Sequence, residues 1–289
     1  MILVTGASGT VGREVLNQVA KKGVRHRAMY RSDREAAKAP APTQTVVADF
    51  AKKDTLDAAL RGIRTVYLVC SPIPDLVQLE TAMIDACVAA GVRHIVLNSA
   101  LGAGDYGKSF PSWHRKVEDH LRSTALSWTI LRPNSFHQNT VSYYAPSIRA
   151  QGVFYASLGE ARMSYVDVRD VAAAAAAALA GEAHEGKIYE LNGPEALTSR
   201  EVADKIGQQA GRPVKYVDIP MAAQFKSMLD AGMPDWQATA LTELQQYYVN
   251  GRGGDLDDTL ESIMGRPPVP LDAFLRENAA QFREQAANA

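Results

Sequence analysis

Two cysteines in 289 residues give no framework for a disulfide-stapled fold. Cys70 falls in a strand-like apolar run and Cys87 in a helix-like one, where a thiol behaves as a small buried hydrophobe. No histidine and cysteine group has metal-site spacing, so no metal is expected. Long apolar runs are missing too: the alanine stretch at residues 172–178 falls well short of the ~18 residues that span a bilayer. Nor does charge of one sign dominate. Lys and Arg number 31 against 32 Asp and Glu, a formal net charge of −1 that offers nucleic acid no basic face. The opening Met1-Ile2-Leu3-Val4 enters a strand-like run directly, with no room for a signal peptide. These absences predict a cytoplasmic protein with neither membrane nor nucleic acid as partner, and leave monomer and homodimer both open.

What the chain does have is glycine in a particular place. The run Ile2-Leu3-Val4-Thr5 leads into Gly6-Ala7-Ser8-Gly9-Thr10-Val11-Gly12. Gly6 would let the backbone turn sharply out of a strand, using angles that a Cβ disfavours. Gly9 would let the chain approach a phosphate, and Gly12 would let the next helix pack closely on the strand. That helix presents unpaired N–H groups and a positive dipole end to an anion. Its apolar face is Val11, Val15, Leu16 and Val19.

The first half continues this alternation, with strands expected at residues 1–5, 26–30, 43–48, 65–69, 93–98 and 127–131. Helices are expected at 10–22, 52–61, 75–90 and 111–123. The pattern predicts an α/β Rossmann fold, a doubly wound parallel sheet covered on both faces. The second half reads as helices 136–150 and 167–180, a strand at 187–191, and a capping-box helix from Thr198 and Glu201 to 211. A short strand at 214–218 and helices at 221–231, 235–249, 255–264 and 271–285 follow. The expected division is a dinucleotide-binding domain over 1–151 with returns from about 163–191, and a smaller, mostly helical substrate domain over 192–289.

The second strand ends Met29-Tyr30-Arg31-Ser32-Asp33-Arg34. An NAD site usually places an acid there for the ribose 2′-OH. Arg31 stands in its place, and a guanidinium matches a 2′-phosphate, so NADP(H) is preferred, while Asp33 leaves NAD(H) open. Asp49-Phe50, after the third strand, is placed to meet the adenine or to start a helix. Cys70-Ser71-Pro72 ends the fourth strand, where a loop would run under the ribose and nicotinamide.

The chain resembles the NmrA-like family of atypical short-chain dehydrogenase/reductases. The resemblance is carried by Val4 to Gly12, by His114-Arg115-Lys116-Val117-Glu118, and by Leu131-Arg132-Pro133-Asn134-Ser135-Phe136-His137-Gln138-Asn139. Tyr165-Val166-Asp167-Val168-Arg169-Asp170-Val171 and Gly186-Lys187-Ile188-Tyr189-Glu190-Leu191 extend it. Within that family it looks most like the NADPH-dependent quinone and triphenylmethane-dye reductases. The resemblance implies cofactor contacts from the glycine loop, Arg31, the segment 70–72, and Pro133, Asn134 and Phe136. Ser99 ends the fifth strand where the catalytic serine of an ordinary short-chain dehydrogenase would stand beside the cofactor. On the next helix Lys116 reads either as holding the ribose hydroxyls or as pairing with Asp119 or His120 on the surface. His114, oriented by Glu118, reads either as a proton donor or as a cap for nearby backbone. Ser99, Lys116 and His114 are therefore the catalytic candidates.

Ordinary short-chain dehydrogenases carry Tyr-x-x-x-Lys. Here Ser112 precedes Lys116 by four and Phe110 follows Tyr106 by four, so the tyrosine acid is absent. That loss matters for a ketone, whose oxygen needs a proton as hydride arrives. It matters less for a quinone or cationic dye, which delocalises the incoming charge. The expected function is therefore NAD(P)H-dependent reduction of quinones or similar electron-poor aromatics. The alternative is a non-catalytic NAD(P)-binding redox sensor of the NmrA type. Phe225, Trp236, Tyr247 and Tyr248 read either as walls for a flat substrate or as core.

Overall fold

The computed structural model describes residues 1–40, 43–104 and 106–283. The chain forms two compact units: Met1–Pro133 with Val168–Leu191, and Asn134–Asp167 with the chain from Asn192 onward. In the first unit the strands are β1 (Ile2–Val4), β2 (His26–Tyr30), β3 (Gln44–Val47), β4 (Thr65–Leu68), β5 (His94–Asn98) and β6 (Ser127–Pro133). Between them run α1 (Thr10–Lys21), α2 (Asp33–Ala36), α3 (Lys53–Ala59), α4 (Leu76–Ala89) and α5 (Phe110–Ser123). After α6 (Ala145–Gln151) and β7 (Val153–Ala156), which belong to the second unit, the chain returns with α7 (Val168–Ala180) and β8 (Lys187–Leu191).

Seven strands make one parallel sheet in the order β3-β2-β1-β4-β5-β6-β8. The winding direction reverses between β1 and β4, the place where such sheets open a crevice beyond their carboxyl ends. β1 is buried at all three residues, as a central parallel strand must be. Alternation by two sends Leu3, Val66, Leu68, Ile95, Leu97 and Ile130 into one core with Leu56 of α3, Met83 and Ile84 of α4, and Val117 and Leu121 of α5. Val4, Tyr67, Val96 and Leu131 are left to the other face. There α1 packs on α7, whose buried Ala172, Ala174, Ala175, Ala176 and Ala178 present no side chain beyond Cβ to hold it off the strands.

The second unit holds a two-stranded parallel sheet, β7 with β9 (Lys215–Asp218), among helices. These are α8 (Ser199–Ala210), α9 (Met221–Asp230), α10 (Asp235–Val249), α11 (Thr259–Met264) and α12 (Leu271–Glu277). The expected capping box is present: Thr198 accepts from the Glu201 N–H and Glu201 reaches back to the Thr198 N–H.

Several expectations need correction. The chain crosses between units after Pro133 and after Asp167, not at 151 and about 163, because β6 ends at Pro133 and residues 134–151 pack with the second unit. The single helix expected over 136–150 is instead a π-helical turn, Thr140–Tyr144, followed by α6, where Pro146 in the first turn cannot donate back to the preceding segment. β7 and α2 were not expected, being only four residues each. The last expected helix ends earlier, at Glu277, with a 3-10 turn at Ala279–Gln281; residues 284–285 lie outside the described residues.

Candidate cofactor site

At the switch point Thr5 joins the two central strands: its Oγ1 accepts the Val69 N–H at 2.9 Å and lies 3.1 Å from the Tyr67 carbonyl oxygen. The chain then turns through Gly6 at φ +58, where a Cβ would also stand 2.7 Å from Val69 Cγ1. Gly9 is the N-cap of α1 and donates its N–H to the Gly6 carbonyl at 2.9 Å. A Cβ on Gly12 would lie 2.2 Å from the Gly6 oxygen and 2.9 Å from the Thr5 oxygen, so the first turn of α1 rests on the loop backbone. No side chain caps α1 and no acid occupies its first turn. Its N-terminal amides therefore have no anionic partner from their own helix, the arrangement that suits a phosphate.

This loop borders a cavity of about 360 Å³, within the usual range for ligand clefts. Gly6, Ser8, Gly9, Thr10, Val11 and Gly12 form one side. Arg31 follows β2, Asp49 and Phe50 follow β3, and Cys70 and Ser71 follow β4, and all five border the same cavity. Arg31, not Asp33, borders the cavity; Asp33 lies exposed in the first turn of α2. The Arg31 backbone N–H donates to Glu35 Oε2 at 3.3 Å, and its side chain is exposed. Asp49 is held by an Asx turn, its Oδ1 accepting the Ala51 N–H at 3.0 Å; the N-cap of α3 is Lys52. Burial pushes the Cys70 thiol up to about 12, which leaves no thiolate for covalent chemistry.

Six wall residues were not read from the sequence: Met29, Tyr30, Ala48, Val69, Ile73 and Leu79. Each stands within two residues of one that was, or one turn into α4. Pro72 is exposed and does not border the cavity; Ile73 does.

The expected catalytic residues are placed otherwise. Ser99 is buried and donates its hydroxyl to Glu118 Oε1 at 2.5 Å. Arg132 holds the same carboxylate with two bonds, Nε to Oε1 at 2.9 Å and Nη2 to Oε2 at 2.6 Å. Glu118 thus ties α5 to the ends of β5 and β6, and it is these partners, not His114, that it orients. Lys116 is exposed on α5. Two residues from His114 is about 200° around the helix, away from the buried face of Pro111, His114, Val117, Glu118 and Leu121. His114 is buried with Nδ1 unpartnered, and burial pushes its pKa down to about 4, so it is a neutral ring. Pro133 is buried, its carbonyl accepting the Leu101 N–H at 3.1 Å. None of Ser99, Lys116 or Pro133 borders the cavity.

Asn134 and Phe136 belong to the second unit. The Asn134 amide is spent within it: Nδ2 donates to Asn192 Oδ1 and the Gly253 carbonyl, and Oδ1 accepts from Tyr248 and from the Ser135 N–H. Phe136 is half-buried and pairs with Val166 through a single parallel bridge. Tyr247 and Tyr248 are buried against each other, which makes them core, while Phe225 and Trp236 are half-buried. Among the described residues no group of His, Cys, Asp and Glu is arranged to hold a metal ion, and no helix is long and apolar enough to cross a membrane.

Over 284 residues the chain is 36% identical to an NAD(P)H azoreductase from Xenophilus azovorans, covering 98% of this chain and 99% of that protein. It is 35% identical, over 98% of this chain and 99% of the relative, to a (4-alkanoyl-5-oxo-2,5-dihydrofuran-3-yl)methyl phosphate reductase from Streptomyces griseus. The fold matches the crystal structure of an NADPH-dependent quinone oxidoreductase from Escherichia coli complexed with NADPH. The TM-score is 0.89 at 28% identity, over 96% of this chain and 99% of that one. The sequence profile of the NmrA-like family matches residues 1–271, and the chain belongs to that family.

Proposed function

We propose that the protein is an NAD(P)H-dependent oxidoreductase that reduces quinones or similar electron-poor aromatics, with NADP(H) preferred and NAD(H) accepted. The observation that carries this reading is the glycine loop with Arg31 across the same cavity: an uncapped helix start for a pyrophosphate, and a guanidinium at the end of β2 where an NAD site usually places an acid. Reductases similar over nearly their whole length support it.

In this reading Gly6, Ser8, Gly9, Thr10, Val11 and Gly12 hold the pyrophosphate through the backbone, and Arg31 meets the 2′-phosphate. Asp49 and Phe50 flank the adenine, and Cys70 and Ser71 line the ribose side. The bound nicotinamide supplies hydride. With Ser99 committed to Glu118, Lys116 in solvent and no Tyr-x-x-x-Lys, the chain brings no acid–base relay of the short-chain dehydrogenase kind to the acceptor. Its contribution is positioning. An acceptor that delocalises two electrons and draws its proton from solvent suits such a site, and a simple ketone does not. The second unit is the proposed substrate domain. The substrate is a small flat organic molecule, and the protein works in the cytoplasm as a monomer or homodimer.

Loss of NADPH absorbance at 340 nm with a panel of quinones and azo dyes tests the activity. Arg31→Glu is expected to weaken NADPH binding at least about tenfold more than NADH binding; equal losses would remove Arg31 from the 2′-phosphate. The withdrawal of Ser99 and Lys116 from the cavity is the one observation that favours a non-catalytic redox sensor. Tight binding of both NADP forms with no turnover of any acceptor would establish that reading instead.

A further inference from the structure

One residue after the cavity-lining Leu79, α4 buries an acid. Glu80 has no exposed surface, and neither carboxyl oxygen has a hydrogen-bond partner. An ionised carboxylate is seldom buried unless paired, and an orphaned polar group in a core calls for a reason. The group that acts on it is the backbone N–H of Cys70, in the wall of the cavity, which favours the carboxylate without reaching hydrogen-bond geometry. Tyr67 of β4 and the Cys70 thiol feel its charge, and Arg31 at the end of β2 acts on that thiol. Among the described residues no cation acts on Glu80 from α3 or α5, the helices beside α4. The ion pair between α4 and α5, Asp85 with His120, lies towards solvent further along the helix. Burial pushes the Glu80 carboxyl up to about 8, so at neutral pH it carries its proton.

We propose that Glu80 couples dinucleotide binding to protonation: the cavity takes the polyanionic cofactor most tightly while the carboxyl beneath its Cys70–Ser71 wall is protonated. This rests on the cofactor reading above and adds a positioning residue and a pH-regulated affinity to it. Ionisation would set a negative charge beneath the wall of a cavity that takes a polyanion, with no cation acting directly on it among the described residues, and would draw the Cys70 N–H inward. Linkage makes the effect reciprocal, so cofactor binding takes up a proton.

The test measures NADPH affinity of the full chain between about pH 7 and 9.5, above the ~6 at which a phosphate monoester titrates. The Kd of the parent is expected to rise by up to about tenfold per pH unit above 8, and that of Glu80→Gln to stay flat. Calorimetry near pH 8 in two buffers of different ionisation enthalpy needs no variant and should show the parent taking up about half a proton per cofactor. Parallel pH profiles for parent and Glu80→Gln, or no proton uptake by the parent, would overturn the proposal while leaving the cofactor reading intact. No binding of NADPH at any pH would overturn both.

Discussion

Gly9→Ala places a Cβ whose nearest non-neighbouring atom is the Gly6 carbonyl oxygen at 3.2 Å, on a backbone of φ −80 and ψ 171 that any residue adopts. The loop must give by a few tenths of an ångström there. Restricting the unfolded chain returns roughly 0.4–1 kcal/mol, so stability should change by no more than about 0.5 kcal/mol. Gly12→Ala differs in kind. Its Cβ would stand 2.2 Å from the Gly6 oxygen and 2.6 Å from the Gly6 carbonyl carbon, both backbone atoms that no rotamer change can move. The ~1 kcal/mol of helix propensity gained does not offset the overpacking, and a net loss of about 1–3 kcal/mol is expected. In a chain of this size that is a fall in melting temperature of about 2–4 °C per kcal/mol. Thermal melts paired with NADPH titration separate the two roles. Gly9→Ala should melt with the parent yet bind NADPH at least about tenfold more weakly, because its methyl fills the side from which a pyrophosphate approaches. Gly12→Ala should lose stability and binding together. Undiminished NADPH affinity in Gly9→Ala would refute the phosphate cradle, and a parent-like melt for Gly12→Ala would refute the packing argument.

Ser99→Ala and Lys116→Ala should leave kcat within a factor of about two; a fall of the ~10²–10⁴ typical of a lost acid–base group would place either residue in the reaction. Glu118→Gln weakens a buried carboxylate held by Arg132 and Ser99, and Glu118→Ala removes it outright. The alanine variant should lose roughly 3–5 kcal/mol in urea denaturation, and a loss under about 1 kcal/mol would contradict the network. His114 lends the fold an acid-labile component. Its pKa is about 4 when folded against 6.5 unfolded, so its contribution is complete above 6.5 and declines as pH falls, by up to about 3 kcal/mol at pH 4. His114→Phe should flatten that slope in denaturation curves between pH 6.5 and 4.5, and an unchanged slope would show that another group carries it.

The glycine loop was legible because its demands are local. A positive φ at Gly6 and a helix start pressed against a carbonyl at Gly12 are needs of the backbone, and residue type records them directly. The alternation of strands and helices points to a doubly wound parallel sheet, and its strand ends to the rim residues Arg31, Asp49, Phe50, Cys70 and Ser71. Side-chain roles are another matter, since they depend on what each group meets. Ser99 stands at a strand end where a catalytic serine would, but Glu118, nineteen residues on, takes its hydroxyl, and Arg132 completes the claim. Asn134 is likewise held by Asn192, Tyr248 and Gly253, from distant parts of the chain. The sequence did contain one signal that was open to use. Positions 111, 114, 117, 118 and 121 repeat at helical spacing and mark the inner face of α5, which leaves Lys116 outside. Glu80 shows the converse. An acid among Leu76, Leu79, Met83 and Ile84 reads as a flaw in an apolar pattern until its place behind Cys70 is seen. A cradle made of backbone can therefore be read from one chain, whereas the availability of a hydroxyl, an amide or a carboxyl is set by partners that only the folded chain brings together.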